Sequence, residues 1–213
     1  LKEELKTVFA ASKKDATRNL SGQALQVIAK HLPGFIGGSA DLEPSTKTVI
    51  KGAADIQKED FAGRNLRFGV REHAMGAVAN GLAYDRVWIP YTATFLVFAD
   101  YMRPVLRLAA ISRLQTLFIF THDSFWVGED GPTHQAVEHD FEHRQTLVGH
   151  HRGIDDGANA GIVVEIDFAD GETEQVVDFL LRQDPLAAVL AAAEVAAAVL
   201  DHGGPLQRHG AGN

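Results

Sequence analysis

The chain has 213 residues, 46% hydrophobic and 23% charged, a balance that suits one α/β domain with a substantial core. Its net charge of −8 argues against nucleic acid or an anionic membrane as the main partner, since both call for a concentrated basic face. The lack of any cysteine excludes disulfides, thiolate catalysis and Cys-based zinc sites.

The opening "LKEELKTVFAASKKDATRNL" has no apolar core of the signal-peptide kind, and residues 1–13 read as a linker or helical lead-in. Ala16, Leu20, Ala24, Leu25, Val27 and Ile28 form a helical stripe across 14–31, closed by Pro33-Gly34. "GFIGG" reads as a short buried strand running into a glycine turn. "NLRFGV" reads as a second strand, followed by a helix from Arg71 to about Tyr84. "VWIPY" is a third strand and 95–112 a further helix, within which Pro104 would act as a kink or a stop. "TLFIFT" is a fourth, with the β-branched and aromatic make-up of a buried strand. "GIVVEIDF" at 161–168 is a fifth, leading into a helix near 172–182. A last helix, Pro185 to Leu200, has Asp184 as N-cap and Gly203-Gly204 past its end. Its run "LAAVLAAAEVAAAVL" contains Glu194 and falls short of the roughly 20 residues of a membrane span. These features predict a domain over 14–183, an alanine-rich helix and tail over 184–213, and a cytoplasmic location.

Strands separated by helix-length connections imply a doubly wound, mostly parallel sheet with helices on both faces. Ligands of such sheets sit outside the carboxyl ends of the strands. Gly37 to Ser45, Val70 to His73, Tyr91 to Phe95 and His122 to His134 then gather at one edge. The loop "FTHDSFWVGEDGPTHQ" (120–135) brings two histidines and three acids to that edge, and reads either as a site or as a polar connection. His139 and His143 stand one helical turn apart, but zinc needs three or four converging ligands, so no metal site is assigned.

Four blocks carry more than their composition: "GGSADLEPS" (37–45), "RFGVREHAMGAVANGLA" (67–83), "IPYTATFLVFADYMR" (89–103) and "FTHDSFWVGEDGPTHQAVEH" (120–139). In order and spacing they closely resemble the pyrimidine-binding middle domain of transketolases, and the resemblance fades after His139. Nothing in the sequence resembles that family's diphosphate-binding or C-terminal domains, so the chain reads as a fragment, a split subunit or a redesigned domain.

The resemblance implies thiamine diphosphate as cofactor and two-carbon ketol transfer between sugar phosphates. It places the Mg2+ or Ca2+ on a partner diphosphate-binding domain or subunit, within a homo- or hetero-oligomer, and leaves the isolated chain inactive. Glu72 in "VREHAM" matches the acid that bonds the aminopyrimidine nitrogen, while its local reading is a first-turn Glu favoured by the helix dipole. Phe95, Phe98 and Tyr101 match the aromatic pocket around the pyrimidine, where the local reading is a core stripe. Arg18, Ser45 and His122 match positions that hold a sugar phosphate with charge-assisted donors. Asp41 matches the thiazolium side, and Asp130 and His134 the hydroxyl-bearing end of the sugar, with His134 beside Glu72 as catalytic. Gly128 and Gly131 would let the backbone approach the ligand. Two other readings stay open: a non-catalytic interaction module or dimerisation scaffold keeping the fold, and the pyrimidine domain of another thiamine diphosphate enzyme. "GSADL" with "GEDGPTHQ" favours transketolase over the deoxyxylulose phosphate synthases and dehydrogenase β subunits.

Overall fold

Strands β1 (Phe35–Ser39), β2 (Ile89–Phe95) and β3 (Leu117–Thr121) lie side by side in that order, all parallel. Phe35 stands opposite Ile89 and Tyr91 opposite Leu117. The computed structural model describes residues 1–11, 16–122, 131–136 and 139. The fifth strand, the helices near 172–182 and 185–200, Gly128 and Asp130 lie outside the described residues.

The pleat divides the side chains between two cores. Phe35, Tyr91, Ala93, Leu117 and Ile119 pack on one face against helices α1 (Lys2–Ala11) and α2 (Thr17–His31). The α2 stripe legible in the sequence supplies Leu20, Ala24, Leu25, Val27 and Ile28, all buried there. Phe118 and Phe120 pack on the other face with helix α4 (Glu72–Tyr84), a 3₁₀ helix (Leu96–Met102) and helix α5 (Arg103–Ile111). Short α3 (Glu43–Thr46) follows β1. Helices therefore cover both faces of the parallel sheet, as the alternation of elements implies. Among the described residues no helix is long and apolar enough to cross a membrane.

The rings of Phe35 and Tyr91 stack at 4.6 Å, tying β1 to β2 on the α2 face. The Tyr91 hydroxyl donates to the Thr48 carbonyl at 2.7 Å, so this buried phenol is satisfied, and burial pushes its ionisation up.

Three expectations are corrected. "NLRFGV" is not a strand. Asn65 makes single parallel bridges to Gly37 and Asp55, and the chain then leaves the sheet through Gly69 at φ +66°. Alternating hydrophobicity could not reveal this, because Leu66 and Phe68 are only half-buried, Phe68 against the α4 core, and Val70 is exposed. The second correction concerns 95–112, which divides into the 3₁₀ helix and α5. Pro104 opens α5 in its first turn, where its missing N–H has no partner to lose. Proline starts that helix; it does not kink it. The third strand also begins later than "VWIPY" and runs on to Phe95.

Asn65 instead staples the excursion between β1 and α4. Its side chain accepts from the Ile50 N–H at 2.8 Å and donates to the carbonyls of Ile50 at 3.0 Å and Ala53 at 2.9 Å. Asn65→Ala would strand those buried backbone groups, and we expect a loss of about 2–4 kcal/mol. Urea unfolding should register it as a lowered midpoint with an unchanged slope.

Candidate active site

The carboxyl ends of the three strands deliver Ser39, Phe95 and Thr121 to one edge. Helix α4 runs back to the start of β2, so its first residue, Glu72, also lies at this edge. Met75 of α4 shares a core with Leu96, Ala99 and Met102, which puts α4 and the 3₁₀ helix on the same face of the sheet.

A 3₁₀ helix turns once every three residues, so residues i and i+3 stand directly above one another. That geometry turns the spacing of Phe95, Phe98 and Tyr101 into a stair of rings. Phe95 and Phe98 are 5.9 Å apart and nearly coplanar in tilt at 9°; Phe98 and Tyr101 are 6.2 Å apart at 30°. The stair climbs out of the core, from Phe95 at 6% exposure to Tyr101 at 62%. Its lower end meets two histidines. His122 stacks on Phe95 with centroids 3.7 Å apart, and His134 sets its ring edge-on to Phe95 at 5.9 Å and Phe98 at 5.6 Å.

Arg18, from α2, joins this cluster. Its Nη1 lies 2.9 Å from His122 Nε2, and Thr121 Oγ1 lies 2.9 Å from His122 Nδ1. A guanidinium can only donate, so Nε2 carries the lone pair and the ring proton sits on Nδ1, facing Thr121. The imidazole is thereby assigned as neutral in this arrangement, with the guanidinium providing the positive charge. The Arg18 Nε is buried with no hydrogen-bond partner among the described residues.

Asp41 and His122 both adopt positive φ, +64° and +58°, a left-handed backbone that non-glycine residues rarely hold. Each follows the end of a strand at the candidate site, where such local strain tends to concentrate. Asp41 is exposed at the rim of a cavity of about 230 Å³ lined by Gly38, Ser39, Pro44, Asn65 and Arg67. This cavity flanks β1 and does not include the ring cluster, so Asp41 and the stair occupy neighbouring parts of the edge. Ser45 rides on α3, and the backbone of Lys47, just past that helix, abuts Gly22 one turn beyond Arg18. No hydrogen bond joins Ser45 to Arg18 or His122 among the described residues.

Glu72 is 7% exposed at the first position of α4. Among the described residues its carboxylate has no hydrogen-bond or ion-pair partner. A glutamate so largely buried is uncommon, which makes it a candidate functional group.

A family model, the pyrimidine binding domain of transketolase, matches residues 13–141. The chain belongs to this family. It is 55% identical over 136 residues to the chloroplastic transketolase of Solanum tuberosum, across 63% of this chain and 18% of that protein. With the transketolase of Halalkalibacterium halodurans the identity is 53% over 130 residues, 61% of this chain and 20% of the relative. The crystal structure of Pichia stipitis transketolase in complex with sedoheptulose-7-phosphate superposes with a TM-score of 0.63 at 37% identity, over 72% of this chain and 26% of that one. Campylobacter jejuni transketolase gives 0.60 at 36%, over 76% and 29%. The chain thus spans about a fifth of the length of the curated relatives named here.

The transketolase-type domain has the chemistry to hold a flat heteroaromatic ring. The stair offers aromatic faces, Glu72 a largely buried acid, and Thr94 a fully buried hydroxyl, neither of the last two with a partner among the described residues. Thr94 was not singled out from the sequence. Its place at the end of a strand, on the face opposite the apolar Tyr91 and Ala93, is the signal that points to it. Thr121, the partner of His122, was likewise missed. Among the described residues no group of three or more His, Asp and Glu could hold a metal ion.

Proposed function

We propose that this chain supplies the aminopyrimidine-side half of a thiamine diphosphate site for two-carbon ketol transfer between sugar phosphates. The observation that carries the reading is the ring stair flanked by His122 and His134, at the same sheet edge as the buried carboxylate of Glu72. When bound, the coenzyme supplies a carbon nucleophile that can accept a two-carbon ketol unit. Phe95 and Phe98 provide apolar faces for the pyrimidine and exclude water from it. Glu72 would bond a ring nitrogen of the pyrimidine from its largely buried position at the start of α4. Arg18 and His122 grip the sugar phosphate, with the imidazole steadying the guanidinium, which has further N–H groups to give. Ser45 and Asp41 line the approach from the β1 side, and Asp130 and His134 meet the sugar hydroxyls.

Magnesium or calcium and the diphosphate would be held by a diphosphate-binding domain or subunit. The outer face of α4 supports such a partner. Ala74, Ala77, Val78 and Gly81 are all exposed there, and no charged side chain other than the buried Glu72 and the titratable His73 occurs before Asp85. A solvent-facing helix ordinarily carries charge on that side, whereas a helix that is apolar all round is covered.

The test is complementation. This chain alone should give negligible ketol transfer in a coupled assay with coenzyme and Mg2+. Adding a separately produced diphosphate-binding domain of a transketolase should raise turnover well above background. Turnover by the chain alone would overturn the half-site reading. A mixture of folded partners that binds no coenzyme would overturn the site itself.

A further inference from the structure

Asp100 lies in the 3₁₀ helix between Phe98 and Tyr101, beside Arg103 and His139. Its Oδ1 accepts from Arg103 Nε at 2.8 Å, and its Oδ2 lies 3.2 Å from His139 Nε2. Arg103 is half-exposed and Asp100 is 44% exposed, but His139 is 1% exposed. Burial alone would push the Asp100 carboxyl up. The hydrogen bond from Arg103 and the charge of His139 outweigh it and hold the group below the ordinary aspartate range.

His139 comes five residues after His134, the histidine set edge-on to Phe95 and Phe98. Between them Ala136, 4% exposed, packs in the core with Leu96, Ala99 and Met102. The residues on either side of this stretch therefore meet the 3₁₀ helix at three points: rings at 134, apolar packing at 136 and a carboxylate–imidazole approach at 139. His134 has little else among the described residues to fix it. Its Nδ1 meets its own neighbour Thr133 at 2.7 Å, and its N–H donates to Gly131 at 3.1 Å, both contacts within the same turn. Local bonds set the shape of a turn; they do not set its distance from the stair.

We infer that Asp100 is a positioning residue for His134, acting through His139 to clamp the stretch that carries His134 onto the helix that carries Phe98. A carboxylate 3.2 Å from a nearly fully buried imidazole suits this task, because the approach brings the two segments together inside the packed core, where side chains have little room to shift. The same clamp keeps His134 and the stair as one rigid unit, the condition a preorganised site requires. Its value to catalysis rests on the proposed function above, but the geometry can be tested without any cofactor.

The readout is the NMR signal of the His134 imidazole in the full chain, which the neighbouring Phe95 and Phe98 rings displace from the position of a free histidine. Asp100→Ala should collapse that displacement, and so should His139→Leu, which removes the other end of the clamp. Arg103→Ala, which removes the other partner of Asp100, should leave it in place. The His122 signal should persist in all three, since Arg18, Thr121 and the face of Phe95 hold that ring independently. If Asp100→Ala does not fold, His139→Leu carries the same reading. An undisturbed His134 signal in whichever of these two folds would overturn the inference. So would equal collapse in Arg103→Ala, which would make Asp100 merely a support of its own helix.

Discussion

Glu72→Gln in the complemented assembly is expected to lower ketol-transfer turnover by about 10²–10⁴-fold, the range a positioned acid–base group contributes. The folded protein should barely notice. Glutamine has nearly the volume of glutamate, and no partner among the described residues loses a bond. What is lost is the favourable placement of a negative charge at a helix N-terminus, worth about 0.3–1 kcal/mol. A change of that size moves the melting temperature of a chain this long by only about 2–4 °C. Turnover and thermal unfolding should therefore separate cleanly. Unchanged turnover would remove Glu72 from the mechanism, and a collapse of the melting temperature would return it to a structural role. A glutamate 7% exposed, with no partner among the described residues, is hard to explain as a stabilising feature, which is why the larger effect is expected on chemistry.

Local pattern carried the parts of the fold with a simple burial scheme. The stripe from Leu20 to Ile28 and the helix after Arg71 each have one buried face and a period that announces it, and "TLFIFT", buried on both faces, announces itself as a continuous apolar run. Where a segment packs against several neighbours, period says little. "NLRFGV" alternates like a strand, yet Asn65 spends its side chain on Ile50 and Ala53, partners chosen by the excursion and invisible in the segment itself. The spacing of Phe95, Phe98 and Tyr101 was visible, but only the 3₁₀ turn stacks them, and Pro104 marks where that turn gives way to α5. Arg18 and His122 are separated by 104 residues, so nothing near either one signals their bond. Family resemblance grouped them; the fold gives the reason, since α2 lies across the sheet face beneath the end of β3. The clamp from Asp100 to His139 had no such signal, and the histidine drew attention only as half of a metal pair.

Gly38→Ala is expected to cost about 3 kcal/mol or more, the upper end of what overpacking does. A methyl group there would lie 1.9 Å from the carbonyl oxygen of Leu66, and one at Gly37 would lie 2.0 Å from that of Tyr91. Neither obstacle is the free end of a side chain. Both are backbone, and Leu66 is held to Gly37 by an N–H···O bond of 2.8 Å. Relief requires the 65–69 segment to lift off β1, which would strain the Asn65 staple as well. The entropy that alanine removes from the unfolded chain returns only about 0.4–1 kcal/mol, too little to change the sign. Gly81→Ala makes the contrast, because no atom lies within 4 Å of its added methyl group and its backbone is helical. That change should stabilise the free chain by about 0.5–1 kcal/mol. On the proposed partner-covered face of α4 the same methyl should weaken complementation. Denaturation of both variants, with complementation of the second, checks all three signs. A neutral Gly38→Ala would mean that the segment leading into Glu72 does not cross β1 as tightly as described, and the placement of the carboxylate at the sheet edge would fall with it.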